Sequence, residues 1–300
     1  MDDTVTASQF TLDTGVVADP DTPGRYVAHL SDQWNAPMLP QGGVVTSLAL
    51  RAMAAELDHP EQRLRSVTTA FAAQVPAGPV QVDVSVLRRG RSLSQAVATV
   101  AATGAEAGHT SLAVFGADRP GFSFTDLTPP VVPPPEDCDS FRDRESPWEE
   151  RFNPTFWDRI EGRAAIGHAP WDEFEPTGSE RAYWYRFDDT PRLADGTIDP
   201  LALVTMADTM PGSVFERVGS RDLLWLSPSA DLTVHLLGEA ESEWILAHNF
   251  ARHAGEGYAS LEMRLWDPER GLVAYATQMM FFSFPDGPPT DDELQVPPIA

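Results

Sequence analysis

Apolar residues recur at the spacing of an α-helix early in the chain. Val44, Leu48 and Ala52 fall on one face of such a helix, and the alanines and leucines around them favour helix as well. A Gln-Gly-Gly sequence at residues 41–43 precedes this pattern. The sequence therefore predicts a long helix that begins at the glycine pair.

A different pattern follows this helix. Valines alternate with polar residues over residues 82–86, which is the two-residue period of a half-buried strand. Further strand-like runs lie at residues 93–101 and 110–115, and the basic sequence at residues 89–92 indicates a turn. The first half is thus predicted to be one helix followed by consecutive strands.

The second half has the same order of elements. Asp199 and Pro200 indicate a helix start, because aspartate caps a helix N-terminus and proline fits the first helical position. Apolar residues continue to Val218, and we expect Pro211 to bend or interrupt this helix. Strand-like runs follow at residues 223–226, 231–237, 243–250, 259–266 and 272–284.

Consecutive strands without intervening helices indicate an antiparallel sheet in each half. A parallel, doubly wound sheet would need a helix between successive strands. The order of elements therefore predicts an α+β fold.

Prolines separate the two halves. The sequence at residues 129–135 is mostly proline, which cannot form an inner strand or a helix, and we expect residues 129–136 to be exposed. Large aromatic residues from Trp148 to Trp171 indicate that the rest of this segment lies against the domains. We predict an N-terminal domain at residues 8–117, a connector at 118–178, a C-terminal domain at 179–284 and an acidic, proline-rich tail at 285–300.

Composition excludes several classes of protein. The 300 residues include 45 acidic and 21 basic side chains, so the chain offers no basic face for nucleic acid. Its single cysteine, Cys138, permits neither an intramolecular disulfide nor a cysteine-rich metal site. No apolar run is long enough to span a bilayer, and the first residues lack a secretory signal. We expect no membrane insertion and a cytoplasmic location.

Motifs for cofactor chemistry are also missing from the sequence. The seven histidines lack the spacing of a metal site, and there is no G-x-S-x-G, Walker loop or G-x-G-x-x-G sequence. We therefore expect no metal and no cofactor.

Several short sequences keep their order and spacing across the two halves. They lie at residues 42–45, 64–67 and 86–94 in the first half and at 207–208, 229–235, 243–246 and 276–278 in the second. Through them the chain resembles bacterial acyl-CoA thioesterase II, and in particular thioesterase-like proteins with two fused hotdog domains. The resemblance extends over roughly residues 8–117 and 180–284.

This resemblance implies a double hotdog fold, in which two antiparallel sheets each wrap around a long helix and join into one continuous sheet. It also implies that acyl-CoA binds where the two halves meet. Proteins of this type often associate further through their sheets, so this chain could form a homo-oligomer in the same way.

The hydrolytic centre implied by the resemblance consists of Asp208, Ser229 and Gln278, all from the second domain. The hydroxyl residue of the family is a threonine or a serine; position 229 holds serine where some relatives have threonine, which keeps the hydroxyl group and removes a methyl group. Ser227 lies two residues away and is an alternative source of that hydroxyl.

The residues themselves leave alternatives to this centre. Asp208 lies in the apolar stretch 206–210, and burying an unpaired carboxylate is costly, which favours a functional role over a place on a solvated face. Ser229 could instead be a polar residue at a strand end. Alternation along the last strand also allows Gln278 to face solvent.

Arg88, Arg89 and Arg91 form the densest basic cluster of the first half. One hypothesis is that they contact the phosphates of coenzyme A through charge-assisted hydrogen bonds. The alternative is a solvated turn that happens to be basic.

Three functions are consistent with these observations. The first is hydrolysis of acyl-CoA to a carboxylic acid and free coenzyme A, in which Asp208 activates water with the help of Ser229 and Gln278. The second is a non-catalytic double hotdog protein that only binds acyl-CoA. The third, hydration of enoyl-CoA, requires an Asp–His pair on one loop, and neither half has one after its helix.

Overall fold

The computed structural model of the chain describes residues 7–143, 154–169, 172–176, 178–221 and 223–296. Its α-helices are α1 (Gln9–Asp13), α2 (Gly42–Leu57), α3 (Pro200–Ala207) and α4 (Gly212–Val218). Its strands are β1 (Val17–Ala18), β2 (Arg25–Leu30), β3 (Arg63–Phe71), β4 (Gly78–Arg88), β5 (Leu93–Ala102), β6 (His109–Gly116), β7 (Ile160–Ile166), β8 (Glu180–Phe187), β9 (Asp231–Leu236), β10 (Ile245–Gly255), β11 (Tyr258–Asp267) and β12 (Gly271–Phe281). Short 3-10 helices lie at Asp32–Trp34, Pro135–Asp137, Phe141–Asp143 and Thr155–Asp158.

All of these strands belong to one antiparallel sheet. Their order is β1-β2-β4-β5-β6-β3-β9-β12-β11-β10-β8-β7, so the two halves of the chain lie side by side. β3 and β9 join the halves, and at their centre the hydroxyl groups of Thr68 and Thr233 are 3.0 Å apart. The predicted α+β double hotdog fold is confirmed.

Helix α2 lies against the inner face of the first half. It packs on β2, β4, β5 and β6, and it also contacts α3 of the second half. The helix is therefore buried on more than the single face that the apolar stripe predicts, and Leu48, Leu50 and Met53 are almost completely buried. No helix among the described residues is long and apolar enough to cross a membrane.

The predicted interruption of the second helix is confirmed. Helix α3 starts at the Asp199 cap and ends before Asp208, and Pro211 caps the separate helix α4. This break matters for the site, because it leaves Asp208 at a helix end.

The sequence patterns did not predict some of the strands, and the reasons are physical. In β8, Tyr183 and Tyr185 belong to the main core on the inner face, whereas Ala182 and Trp184 belong to a second apolar cluster on the other face. A strand that is buried on both faces does not alternate between apolar and polar residues. Its neighbour β7 lies inside the segment 118–178, so that segment is not wholly a connector.

One predicted strand does not form. Residues 223–226 make only an isolated bridge, in which Leu226 pairs with Ser283. Pro228 follows closely and has no backbone N–H to donate, so the pairing is interrupted there and resumes only as a second isolated bridge, between Ser229 and Met280.

The proline-rich segment lies against the outer face of the second half. The indole N–H of Trp184 donates to the carbonyl oxygen of Pro133 at 3.0 Å, and the Arg163 guanidinium donates to Pro135 at 2.9 Å. Val132 packs on the same apolar cluster. Many side chains of residues 129–136 remain exposed, but their backbone is anchored.

The aromatic part of the predicted connector is packed where the structure describes it. Phe156 is buried with 1% of its surface exposed, and its backbone N–H donates to Asn35 at 3.0 Å. Trp148, Phe152 and Trp171 lie outside the described residues.

Candidate active site

Asp208 forms the C-terminal end of α3 and contacts both halves of the chain. Its Oδ1 accepts hydrogen bonds from Gln278 Nε2 at 2.5 Å and from Ser229 Oγ at 3.3 Å. Its Oδ2 accepts a hydrogen bond from the backbone N–H of Gly43 at 2.9 Å. The structure thus brings together the three residues that the sequence indicated, and adds a group from the first half.

Ser229 and Gln278 also bind each other. Gln278 Nε2 donates to Ser229 Oγ at 2.8 Å, and the Ser229 backbone bridges Met280 on β12. An ionised carboxylate only accepts hydrogen bonds, so it requires the amide nitrogen of Gln278, and not the oxygen, to face Asp208. The three side chains therefore form a closed set of contacts with a defined orientation.

Gln278 faces the interior, with 3% of its surface exposed. It lies on β12 between the exposed residues Thr277 and Met279 and shares its face with the buried Ala276 and Met280. The solvent-facing alternative for Gln278 is therefore wrong. Its Oε1 is buried without a hydrogen-bond partner among the described residues, which leaves an acceptor free beside Asp208.

The hydroxyl group that contacts Asp208 comes from Ser229. Ser227 makes no described hydrogen bond to this carboxylate, so the alternative source is not supported by the geometry. Another nearby carboxylate, Asp231, accepts a hydrogen bond from the backbone N–H of Met279 and lies on the exposed face.

Two helix ends meet at Asp208. The carboxylate lies at the C-terminus of α3, which disfavours negative charge, and at the N-terminus of α2, which favours it. The approach is close: a Cβ atom on Gly42 would lie 2.8 Å from Asp208 Oδ2, and one on Gly43 would lie 2.7 Å from the Cα of Thr205. Only glycine fits at these two positions without displacing the neighbouring groups.

The sequence did not predict that the first half of the chain contributes groups to this site. The signal in the sequence was the Gln-Gly-Gly at residues 41–43, which predicted a helix start and contributed to the family resemblance but did not indicate a contact with Asp208. Which residue the helix N-terminus faces depends on how the two halves pack, and a one-dimensional pattern does not contain that information.

Burial sets the protonation behaviour of Asp208. Removal of the carboxylate from water raises the pKa of Asp208 from 3.8 to about 6, although hydrogen bonds from Gln278, Gly43 and Ser229 act in the opposite direction. The residue as a whole is only partly buried, but the carboxylate group is enclosed by its donors. With a pKa of about 6, the carboxylate is mostly ionised at pH 7 and able to accept a proton.

The basic turn lies at the other end of α2. Both terminal nitrogens of Arg89 donate to backbone carbonyls in the last turn of α2, those of Glu56 and Leu57, so this side chain caps the helix C-terminus. Arg88 and Arg91 are exposed beside it. Helix α2 has 16 residues and therefore separates this turn from Asp208 by roughly 24 Å. Contact of the three arginines with coenzyme A stays a prediction.

A cavity of about 350 Å³ lies next to this turn. Its lining includes Arg65, Ser92 and Arg119. Asp118 also lines it and binds Arg65 and the neighbouring Arg63, each at 2.6 Å, so part of the positive charge here is already compensated.

Family comparisons match both halves of the chain. Residues 30–116 match the family model described as the acyl-CoA thioesterase N-terminal domain. Residues 135–282 match the model described as the acyl-CoA thioesterase C-terminal domain, which starts inside the segment predicted as a connector. No curated protein sequence matches the chain.

Solved structures share the fold at low sequence identity. A conserved protein of unknown function with a hotdog fold from Alicyclobacillus acidocaldarius is 23% identical, with a TM-score of 0.77, and the match covers 93% of this chain and 100% of that one. Acyl-CoA thioesterase II from Mycobacterium marinum is 20% identical, with a TM-score of 0.70, and the match covers 93% and 100%.

Proposed function

We propose that this chain, which belongs to the acyl-CoA thioesterase family, hydrolyses acyl-CoA thioesters to a carboxylic acid and free coenzyme A. The observation that carries this proposal is the convergence of Asp208, Ser229 and Gln278 at the junction of the two halves. Their geometry supplies a base and two polar groups next to it, which is what hydrolysis of a thioester requires.

In the proposed mechanism, Asp208 takes a proton from water as the water oxygen attacks the thioester carbonyl carbon. Ser229 and the amide nitrogen of Gln278 hold the carboxylate in place for this step. Collapse of the tetrahedral intermediate breaks the carbon–sulfur bond. The departing thiolate of coenzyme A then receives the proton from Asp208, which regenerates the base.

The test is release of free thiol from acyl-CoAs of several chain lengths by wild type and variants. Asp208→Asn keeps the shape of the side chain but removes the base, so kcat should fall by about 10²–10⁴-fold with KM little changed. Ser229→Ala and Gln278→Ala should each cost less. Combining either with Asp208→Asn should add little, because residues that act as a unit are not additive.

The matched control is Asp231→Asn, which removes an exposed carboxylate near the site. It should leave kcat within about twofold of wild type, as expected for a group outside the chemistry. If folded Asp208→Asn kept more than about half the activity, no typical base contribution would exist and the mechanism would be wrong. If wild type bound acyl-CoA without releasing thiol, the non-catalytic binding protein would be the better description.

A further inference from the structure

Gln41 connects the first half to the helix that carries Asp208. It caps the N-terminus of α2, where its Oε1 accepts a hydrogen bond from the backbone N–H of Val44 at 3.0 Å. Its Nε2 donates to the backbone carbonyl of Thr205 on α3 at 2.9 Å. With 5% of its surface exposed, Gln41 makes both contacts in the interior.

The carbonyl that Gln41 binds belongs to the turn that ends at Asp208. The same Thr205 oxygen accepts the backbone N–H of Asp208 at 3.3 Å. A carbonyl in the last turn of a helix lacks its usual donor four residues ahead, and its second lone pair can accept a hydrogen bond from outside the helix. Gln41 donates that hydrogen bond and thereby fixes the turn from which the Asp208 side chain projects.

The cap and the cross-helix contact come from the same amide group. A Cβ atom on Gly43 would lie 2.9 Å from both Gln41 Oε1 and the Val204 carbonyl, so the two helix ends are tightly packed around this side chain. Within this junction, Gly43 binds the carboxylate of Asp208 and Gln41 binds its backbone turn. The described hydrogen-bond partners of the Asp208 carboxylate are uncharged.

We propose that Gln41 is a positioning residue for Asp208, through which docking of the two halves completes the hydrolytic site. This inference rests on the proposed function, since it assigns Gln41 a role in that same site. An N-cap that served only helix stability would need the Oε1 contact alone. The Nε2 contact to Thr205 is the part that reaches the site.

Two substitutions separate these roles. Gln41→Glu keeps an acceptor for the Val44 N–H, but it replaces the donor to Thr205 with an oxygen and adds negative charge near Asp208. Gln41→Met removes both hydrogen bonds at similar size and adds no charge. The matched control is Gln62→Glu at the far end of α2, where another buried glutamine donates to backbone carbonyls at Gly90 and Arg91.

In the kinetic test, both Gln41 variants should lower kcat by about tenfold while KM stays within about twofold, because a misplaced base slows chemistry more than binding. The wild-type rate should rise with pH through about 6, where Asp208 ionises. In Gln41→Glu this midpoint should move up by about one pH unit, since a like charge disfavours ionisation. Gln62→Glu should keep the wild-type kcat and midpoint.

A second readout does not depend on activity. The Asp208 carboxyl carbon can be followed by ¹³C NMR titration, and its signal can be assigned by its loss in Asp208→Asn. A midpoint that also rises in Gln41→Met, which adds no charge, supports the proposal even if wild type hydrolyses no acyl-CoA, an outcome that would overturn only the proposed function. An unchanged midpoint and kcat in Gln41→Met would overturn the role of Gln41, as would an equal loss of kcat in Gln62→Glu.

Discussion

At the scale of single residues, Asp208 holds its charge in an unfavourable place. Several donors surround it, yet burial still raises the pKa of its carboxyl to about 6. Such a pKa suits a base that must be ionised near neutral pH and still attract a proton from water. Because of the same burial, ionisation of Asp208 destabilises the folded chain.

This cost gives a pH-dependent stability. The pKa of Asp208 is about 6 in the folded chain against 3.8 ordinarily, so its contribution to stability is fully present below about pH 4 and is lost as pH rises through 6. The difference of about 2 pH units corresponds to about 3 kcal/mol. Asp208→Asn does not titrate, so relative to wild type its free energy of unfolding should rise by up to that amount between pH 4 and pH 8.

Urea unfolding of both proteins at a series of pH values measures this difference. Comparing the two proteins cancels the contributions of the other titrating groups, among them the buried His109, whose pKa burial lowers to about 4. If the two stability curves ran parallel from pH 4 to pH 8, the raised pKa of Asp208 would be refuted.

At the scale of elements, the site depends on how closely two helix ends approach. A Cβ atom on Gly42 would meet the flexible Phe71 ring at 2.6 Å and Asp208 Oδ2 at 2.8 Å, whereas one on Gly43 would meet backbone of α3. Side chains can move aside more easily than helices can separate. Replacing the two glycines should therefore have different effects on activity and on stability.

Gly42→Ala should lower kcat at least about tenfold through displacement of Asp208, with a modest loss of stability of about 1 kcal/mol. Gly43→Ala should lower both activity and stability, the latter by about 1–3 kcal/mol, because α2 and α3 must move apart. Thiol release and urea unfolding measure the two effects. Gly121→Ala is the control, since a Cβ there meets nothing within 4 Å. A stable, fully active Gly43→Ala protein would contradict the tight junction.

The arginines of the basic turn differ in whether they contact a helix. Arg89 caps the C-terminus of α2, so Arg89→Ala should destabilise the fold by about 1 kcal/mol whatever its role in binding. Arg88 and Arg91 are exposed, so replacing both by alanine should spare stability. If they contact coenzyme A, the double variant should raise KM for acyl-CoA and weaken its dependence on salt. If KM and its salt dependence were unchanged, Arg88 and Arg91 would belong to a solvated turn that does not bind coenzyme A.

At the scale of the whole molecule, one continuous sheet holds the halves together. β3 and β9 pair in the middle of that sheet, and Gln41 and Gly43 contact α3 and Asp208 across the same junction. The chain between the halves is exposed over residues 118–129, with Phe122 and Phe124 largely in solvent. Cutting it should therefore not separate the halves.

Limited chymotrypsin digestion should first cleave after Phe122 or Phe124, because the proline run that follows is anchored to Trp184 and Arg163. The nicked protein should elute as one species in gel filtration and keep most of its activity. First cleavage at the buried Phe115, or fragments that separate without denaturant, would contradict this arrangement and the predicted division into domains at 8–117 and 179–284.

Much of the fold could be predicted from the sequence because its cause is local. Alternating valines give β4, the Asp-Pro start gives α3, and Pro211 breaks the second helix. Patterns failed where burial is two-sided, as in β8, or where a proline interrupts the pairing, as after Leu226. In β8 a distant segment around Val132 covers the second face, whereas Pro228 is a local signal that the strand pattern did not take into account.

For the site, the sequence by itself determined the residue types: a carboxylate in an apolar stretch, a hydroxyl and an amide, together with a glycine pair at a helix start. Only the tertiary structure decided that Gln278 faces inward, because both faces of β12 carry apolar residues near it. Only the structure decided that Gln41 and Gly43 meet α3 and Asp208, more than 160 positions away along the chain. Each residue type determines its own side-chain chemistry, but how the two halves pack determines which residues far apart in sequence become partners.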